Sequence, residues 1–334
     1  MNTSKHSHRH NEHSHAHRHG AIDASILSMD RGLWAVKWSF IGLGITALFQ
    51  IFIVWLSGSV ALLADTIHNI GDALTAVPLG IAFAFAKLPS NKRFTYGYGR
   101  IEDLAGVLVV ITILISAVIA GYESIDRFIH PKLIGHLGAV MVASLIGFIG
   151  NEAVAVFRIK VGKEIGSAAL IADGYHARVD GFTSLAVLFG AMGIKCGFPI
   201  ADPIVGLLIS IAIFKIVWDS SKTVFTRLLD GVEPEILEEL RHAASHVTEV
   251  KEVTEIRARW IGHRVHAELN IAVNPTLSVV EGHNVAKEVK HQLLHHLRYL
   301  SNAIIHVDPS NASGEAHHKI LNHQHDNLPT HSHD

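Results

Sequence analysis

Ala172-Asp173-Gly174-Tyr175-His176-Ala177-Arg178-Val179-Asp180-Gly181-Phe182-Thr183 lies inside one long apolar segment, and Ala64-Asp65-Thr66-Ile67-His68-Asn69-Ile70-Gly71-Asp72-Ala73-Leu74-Thr75 lies inside another. Both follow the pattern A-D-x-x-H-x-x-x-D-x-x-T. On a helix, positions i, i+3 and i+7 share a face, so Asp173, His176 and Asp180 align, as do Asp65, His68 and Asp72. Each segment therefore presents an imidazole and a carboxylate one turn apart, in a hydrophobic setting where ionisable groups are costly unless they have a task. Brought together, His68, Asp72, His176 and Asp180 make a four-ligand metal site inside a membrane. Asp65 and Asp173 read as acceptors behind the ligating histidines, or as the lining of a polar access path. Asn69, Asn151 and Glu152 read as polar packing or cavity lining.

Working outward, the composition fits a membrane setting. Hydrophobic residues are 49% of the chain and charged residues 17%, against roughly 25% charged in soluble domains. Six apolar stretches, 34–56, 60–85, 104–125, 137–157, 168–195 and 200–218, each approach the ~20 residues that a bilayer core demands. Basic residues follow the second stretch (Lys87, Lys92, Arg93, Arg100) and the fourth (Arg158, Lys160, Lys163), whereas the opposite side carries only Arg127, Lys132 and Lys195. The positive-inside rule then puts both chain ends of this multi-pass protein in the cytoplasm, and the compact length without a targeting segment points to the inner (cytoplasmic) membrane. The first twenty residues have no apolar run ending in a cleavage site, so no signal peptide is expected. In this orientation the second span runs inward and the fifth outward, relating two halves by an axis in the membrane plane and placing the site near mid-membrane. Cys196 is the only cysteine, which excludes an intrachain disulfide. With a net charge of -2 and no basic stripe, no nucleic-acid partner is expected.

Two imidazoles and two carboxylates suit a borderline divalent cation, Zn2+ first with Cd2+, Co2+ or Ni2+ behind it, while Mg2+ and Ca2+ prefer oxygen-only shells. No His-Glu-x-x-His helix is present, and four protein ligands leave no position for an activated water, so no catalytic or cofactor-binding residues are expected. The competing class is a membrane metal sensor whose intramembrane site is structural.

The remainder of the chain divides into a histidine-rich, disordered amino-terminal tail at 1–30, the transmembrane domain at 31–226, a soluble domain at 227–309 and a second histidine-rich, disordered tail at 310–334. Within the soluble domain the pattern predicts a helix at 233–247, strands at 252–260 and 264–273, a helix at 279–297 and a strand at 303–307. The order α-β-β-α-β suits a small α+β domain. His266, His283, His306 and Asp308 are its candidate metal ligands, with His263 and Glu268 in reserve.

The two His-x-x-x-Asp pairs, the segment Phe94-Thr95-Tyr96-Gly97-Tyr98-Gly99-Arg100-Ile101-Glu102, the stretch Ile305-His306-Val307-Asp308-Pro309 and the six-span layout together resemble the cation diffusion facilitator family, over about residues 30–309. The resemblance implies a homodimeric antiporter in the lipid bilayer that exports Zn2+ or a similar cation in exchange for protons by alternating access. It assigns His68, Asp72, His176 and Asp180 to the transport site, and two histidines there favour zinc and cadmium. It further implies a ferredoxin-like, dimerising soluble domain, with His283 and the His306/Asp308 pair where regulatory metal binds. Some members carry another metal site in the loop between the second and third spans. That loop here has Phe94, Tyr96 and Tyr98 and no histidine, so such a site is expected to be absent. An ion pair from Arg100 to Asp230 is expected to join the membrane part to the soluble domain.

Overall fold

The computed structural model describes residues 24–57, 66, 76–130, 136–198, 200–314, 317, 320–323 and 331–333. The membrane part consists of α1 (Ala24–Ser57), α2 (Ala76–Ala86), α3 (Arg100–Ile129), α4 (Leu137–Ile165), α5 (Ala168–Lys195) and α6 (Ala201–Leu228). Among the described residues, five of these helices are long and apolar enough to cross a bilayer, and α2 is a shorter apolar helix. The chain is thus a multi-pass membrane protein. The rest of the expected second span, with Asp65, His68 and Asp72, lies outside the described residues, as does the amino-terminal histidine tail.

α5 is the central helix. Its Ala169 and Leu170 pack with Val36, Leu79, Phe83 and Val161, its Ala172 and Val179 with Val109, Ile113 and Ile213, and its Ala177 with Leu43 and Val154. Outward-facing apolar side chains such as Leu48, Trp55, Ile115, Leu208 and Trp218 remain exposed, as a surface solvated by hydrocarbon requires.

A two-residue turn joins α4 to α5. Gly166 ends α4 in the left-handed region (φ 76°), which a residue with a Cβ rarely adopts, and the Ser167 side chain caps α5 by accepting from the Leu170 N–H. The two helices then run antiparallel at close range. A Cβ on Gly174 would stand 2.7 Å from Ile159 Cγ1 and 3.0 Å from the Ile159 nitrogen, and one on Gly162 would meet Ile171 at the same two distances. Small residues here let the backbones approach, the usual basis of helix association in lipid.

The soluble domain comprises α7 (Pro234–Ser245), β1 (Glu252–Ile261), β2 (Arg264–Val273), α8 (Val279–His296) and β3 (Leu300–Pro309). Pro234 opens α7, and Ser278 with Glu281 forms a capping box on α8. The sheet has the order β1-β2-β3, with β1 antiparallel and β3 parallel to β2, so α8 serves as the crossover a parallel pair requires. Alternate residues Ala267, Leu269, Ile271 and Val273 of β2 face the helices and pack with Leu240, Val285, Val289 and Leu293.

Several boundaries differ from the sequence reading. α1 begins at Ala24, inside the segment assigned to the tail, and α6 continues to Leu228. α4 runs on to Ile165, so Arg158, Lys160 and Lys163 are helical and not in a loop. Hydropathy measures bilayer thickness, and these helices extend beyond it with polar residues that keep helical geometry. β3 is longer than expected because its ends pair with β2 at Leu300 and Pro309. In the carboxy-terminal tail, where no regular structure was expected, β4 (Ile320–His323) pairs antiparallel with β5 (His331–His333), main-chain pairing that needs no apolar side chains.

The two parts meet at a polar seam. The Arg227 guanidinium lies 3.8 Å over the Trp260 ring and donates to the Gly166 carbonyl at 2.5 Å and to Glu233 at 3.0 Å. Burial pushes the Glu233 carboxyl upward, but Arg227 and hydrogen bonds, including one from the Trp260 N–H, hold it below the ordinary value. The expected ion pair is present, with Arg100 bonded to Asp230 and also to Asp103.

Gly174→Ala is expected to force α4 from α5 and cost about 1–3 kcal/mol, lowering the thermal unfolding midpoint of the full chain in detergent. Gly138→Ala, with nothing within 4 Å of its new Cβ, should leave the midpoint unchanged or slightly raised, since Ala is the better helix former.

Candidate metal centre

The helical spacing holds on α5. His176 and Asp180 are both buried, 1% and 7% exposed, and the imidazole Nδ1 is 3.9 Å from the carboxylate Oδ1. One nitrogen and one oxygen donor thus face the same interior volume, as a borderline dication requires. Asp180 is set by the ordinary helix around it, and the Thr183 hydroxyl returns to its main-chain carbonyl at 2.8 Å. Among the described residues no three His, Cys, Asp or Glu side chains gather at metal-holding distance. His68 and Asp72, the other expected ligands, lie outside the described residues.

Asp173 has a different partner from the one expected. Its Oδ2 stands 3.1 Å from the Arg158 guanidinium of α4, with the two side chains 0% and 1% exposed. A carboxylate this deep is retained because its opposite charge is equally deep. Similarly, Glu152 of α4 is bound by Arg178 of α5 through two nitrogens, at 3.1 and 2.7 Å. Such fork geometry is the strong form of an ion pair.

The interior also holds polar groups that the sequence reading passed over. A Cβ on Gly147 of α4 would lie 2.9 Å from both Gln50 Nε2 of α1 and Ser184 Oγ of α5, so three helices converge there through polar atoms. Asn151, one turn beyond Gly147, is buried as well. The available signal was a glutamine and a serine within otherwise apolar spans.

In the soluble domain, the candidate ligands separate. His306 Nε2 is 2.9 Å from Asp308 Oδ1, and His283 of α8 lines the same groove as Asp308. His266 belongs elsewhere: it lies in a different cleft, beside Tyr96, Arg264 and Asn302. Burial, then the positive charges of Arg259, Arg264 and Arg100, hold its imidazole below the usual range, a poor setting for a cation. Glu268 is exposed on β2.

His263, the reserve candidate, is instead a buried strut. It sits in the β1–β2 turn with its ring 1% exposed, its Nδ1 2.6 Å from Glu102 Oε2 and its Nε2 2.9 Å from Ser28 Oγ. Glu102 in turn accepts from the Ser167 hydroxyl at 2.5 Å. One imidazole therefore ties the soluble domain to α1, α3 and the α4–α5 turn, with both ring nitrogens engaged.

Comparison with known proteins places this geometry in context. The cation efflux transmembrane domain matches residues 36–229, and the cation efflux protein cytoplasmic domain matches residues 232–310. The probable cation efflux system proteins of Mycobacterium tuberculosis strains CDC 1551 and H37Rv are each 54% identical over 290 residues, covering 87% of this chain and 87% of the relative. The manganese efflux system protein MneP of Bacillus subtilis strain 168 is 26% identical over 268 residues, covering 78% of this chain and 90% of the relative. Among solved structures, the cadmium form of a MamM CTD variant aligns with 22% of this chain and 94% of its own at 24% identity and a TM-score of 0.22.

The depressed imidazole of His266 has a stability consequence. Its folded pKa lies below the unfolded value of about 6.5, so the unfolded chain binds more protons just below that pH. The associated stability is complete above about pH 6.5 and is lost as the pH falls toward the folded value. Thermal unfolding of His266→Gln is expected to show a smaller loss of midpoint than the parent between about pH 7.5 and about pH 5.5; an equal loss would refute the assignment.

Proposed function

The chain belongs to the cation efflux family, and from that premise we propose that it exports Zn2+ from the cytoplasm in exchange for protons, by alternating access, as a homodimer in an inner membrane. Efflux of divalent cations through a multi-pass membrane protein is the family's activity. The finer reading gives the transport site four ligands, His68, Asp72, His176 and Asp180. The observation that carries it is the burial of His176 and Asp180 on one face of the central helix, with donor atoms 3.9 Å apart.

The cycle follows from the donors. Open to the cytoplasm, neutral imidazoles and ionised carboxylates replace the ion's water. Rocking of the helices then exposes the ion on the other face, where protons compete for the same atoms. Metal binding requires deprotonated ligands, so the site itself couples ion to proton. Imidazole, whose ordinary value lies near 6.5, is the natural proton carrier among these donors.

Zn2+ leads because imidazole nitrogen selects zinc over manganese in the Irving–Williams order. Mn2+ is the competitor to measure, since one relative bears the name of that metal. Cd2+, Co2+ and Ni2+ share the donor preference. In the soluble domain, His283, His306 and Asp308 are the proposed regulatory ligands, where metal that binds a closed dimer better than an open one would shift the population toward closure. Both termini are cytoplasmic in this reading.

Zinc flux into proteoliposomes under an imposed pH gradient tests the proposal. The intact chain should transport in a gradient-dependent manner, and His176→Ala or Asp180→Ala should reduce flux by about a hundredfold or more. Full flux in either variant defeats the site. An intact chain that binds zinc tightly yet moves none is a metal sensor.

A further inference from the structure

Away from the seam, α7 and α8 end side by side, and both ends carry histidines. His242 lies in the last turn of α7 and His246 is its C-cap, while His296 lies in the last turn of α8. The His242 and His246 ring centroids are 4.4 Å apart and those of His246 and His296 are 5.3 Å apart. All three residues are exposed.

We propose that His242, His246 and His296 form a further divalent-cation site, for Zn2+ or a similarly imidazole-preferring ion, that clamps the two helices of the soluble domain together.

Three physical features support it. First, the spacing is short enough within the two contacting pairs, His242–His246 and His246–His296, whereas His242 and His296 have no ring contact among the described residues and come together only by side-chain rotation. A Zn–N bond of about 2.0–2.1 Å places each ring centroid about 3.2 Å from the ion, so two ligating rings have centroids no more than about 6 Å apart. Second, the His296 tautomer is suited to ligation. Its Nδ1 is 2.9 Å from the Gln292 carbonyl oxygen, which can only accept, so Nδ1 carries the proton and Nε2 keeps its lone pair. A ligating histidine ordinarily anchors its other nitrogen in this way. Third, two helix carboxyl termini meet here, and their partial negative charge favours a cation.

The His242 and His246 rings meet edge to face at 70° and the His246 and His296 rings are tilted at 59°, so the three do not converge on a point as they stand. Coordination requires rotation about side-chain torsions, which exposed residues undergo in picoseconds to nanoseconds. The fourth position is left to water. This site is separate from the groove of His283, which stands at the opposite end of α8, about 20 Å away along the helix.

The test uses the full chain in detergent, buffered free Zn2+ and carbethoxylation of histidines read residue by residue by mass spectrometry. His242, His246 and His296 are expected to become protected over one common Zn2+ range. His296→Ala should move protection of the other two to at least about tenfold higher Zn2+. The His291/His295 pair is the internal comparison, because its rings have the same 4.4 Å separation and 70° angle without a third ring in contact among the described residues; it should need more Zn2+. Protection absent up to millimolar Zn2+, reached at different concentrations for the three residues, or unchanged by His296→Ala overturns the proposal. Because the readout is local, loss of transport through α5 neither mimics nor masks it.

Discussion

Inside a packed protein interior a charge persists only beside its opposite, and the contact between Arg158 and Asp173 at 3.1 Å is where that constraint is most severe. Both side chains are almost fully enclosed, one on α4 and one on α5, so sliding either helix past the other would strand a charge in a low-dielectric interior. The close approach through Gly162 and Gly174 fixes the distance between these helices, and the ion pair fixes their register. His176 and Asp180 follow one and two turns later on the same helix, and so inherit that register. With Asp173 neutralised by Arg158, the proposed site would balance a dication with the carboxylates of Asp180 and Asp72, leaving no net charge in the membrane.

Much of this was legible in the sequence, because both relevant signals are local. The i, i+3, i+7 spacing placed Asp173, His176 and Asp180 on one buried face, and alternation in 264–273 identified β2 to the residue. What remained hidden depends on partners distant along the chain. Arg158 read as a positive loop residue because its neutralising carboxylate is identified only once α4 and α5 pack. His263 read as a spare metal ligand, since nothing near it in sequence announces Ser28, 235 positions away. His266 stood among the candidate ligands, though outside the set the resemblance supports, until the fold surrounded it with guanidinium groups. The glutamine at position 50 had no assignment before its helix met Gly147 and Ser184.

The soluble domain grips the same hairpin that carries the candidate ligands. The Tyr299 hydroxyl donates to the Lys163 carbonyl at 3.1 Å, Tyr299 and Trp260 pack where a Cβ on Gly166 would stand, and Arg227 at the end of α6 links the Gly166 carbonyl to Glu233 of the soluble domain. A rearrangement of the soluble domain would therefore act first on the α4–α5 turn and, through these closely packed helices, on His176 and Asp180. The regulation by cytoplasmic metal proposed above would have a direct mechanical route here, without a relay through loops.

The strut formed by His263 bears on modularity. Glu102 lies buried in the membrane half, yet one of its two carboxylate oxygens is satisfied by a residue of the other half. The boundary drawn between the two family domains thus cuts through a shared hydrogen-bonded unit. In a chimera that joined this transmembrane region to a foreign cytoplasmic domain, a correct splice point would not suffice; the donor would also need a side chain able to reach Glu102 and Ser28. The two halves are interchangeable parts only as far as that small polar plug is inherited with them.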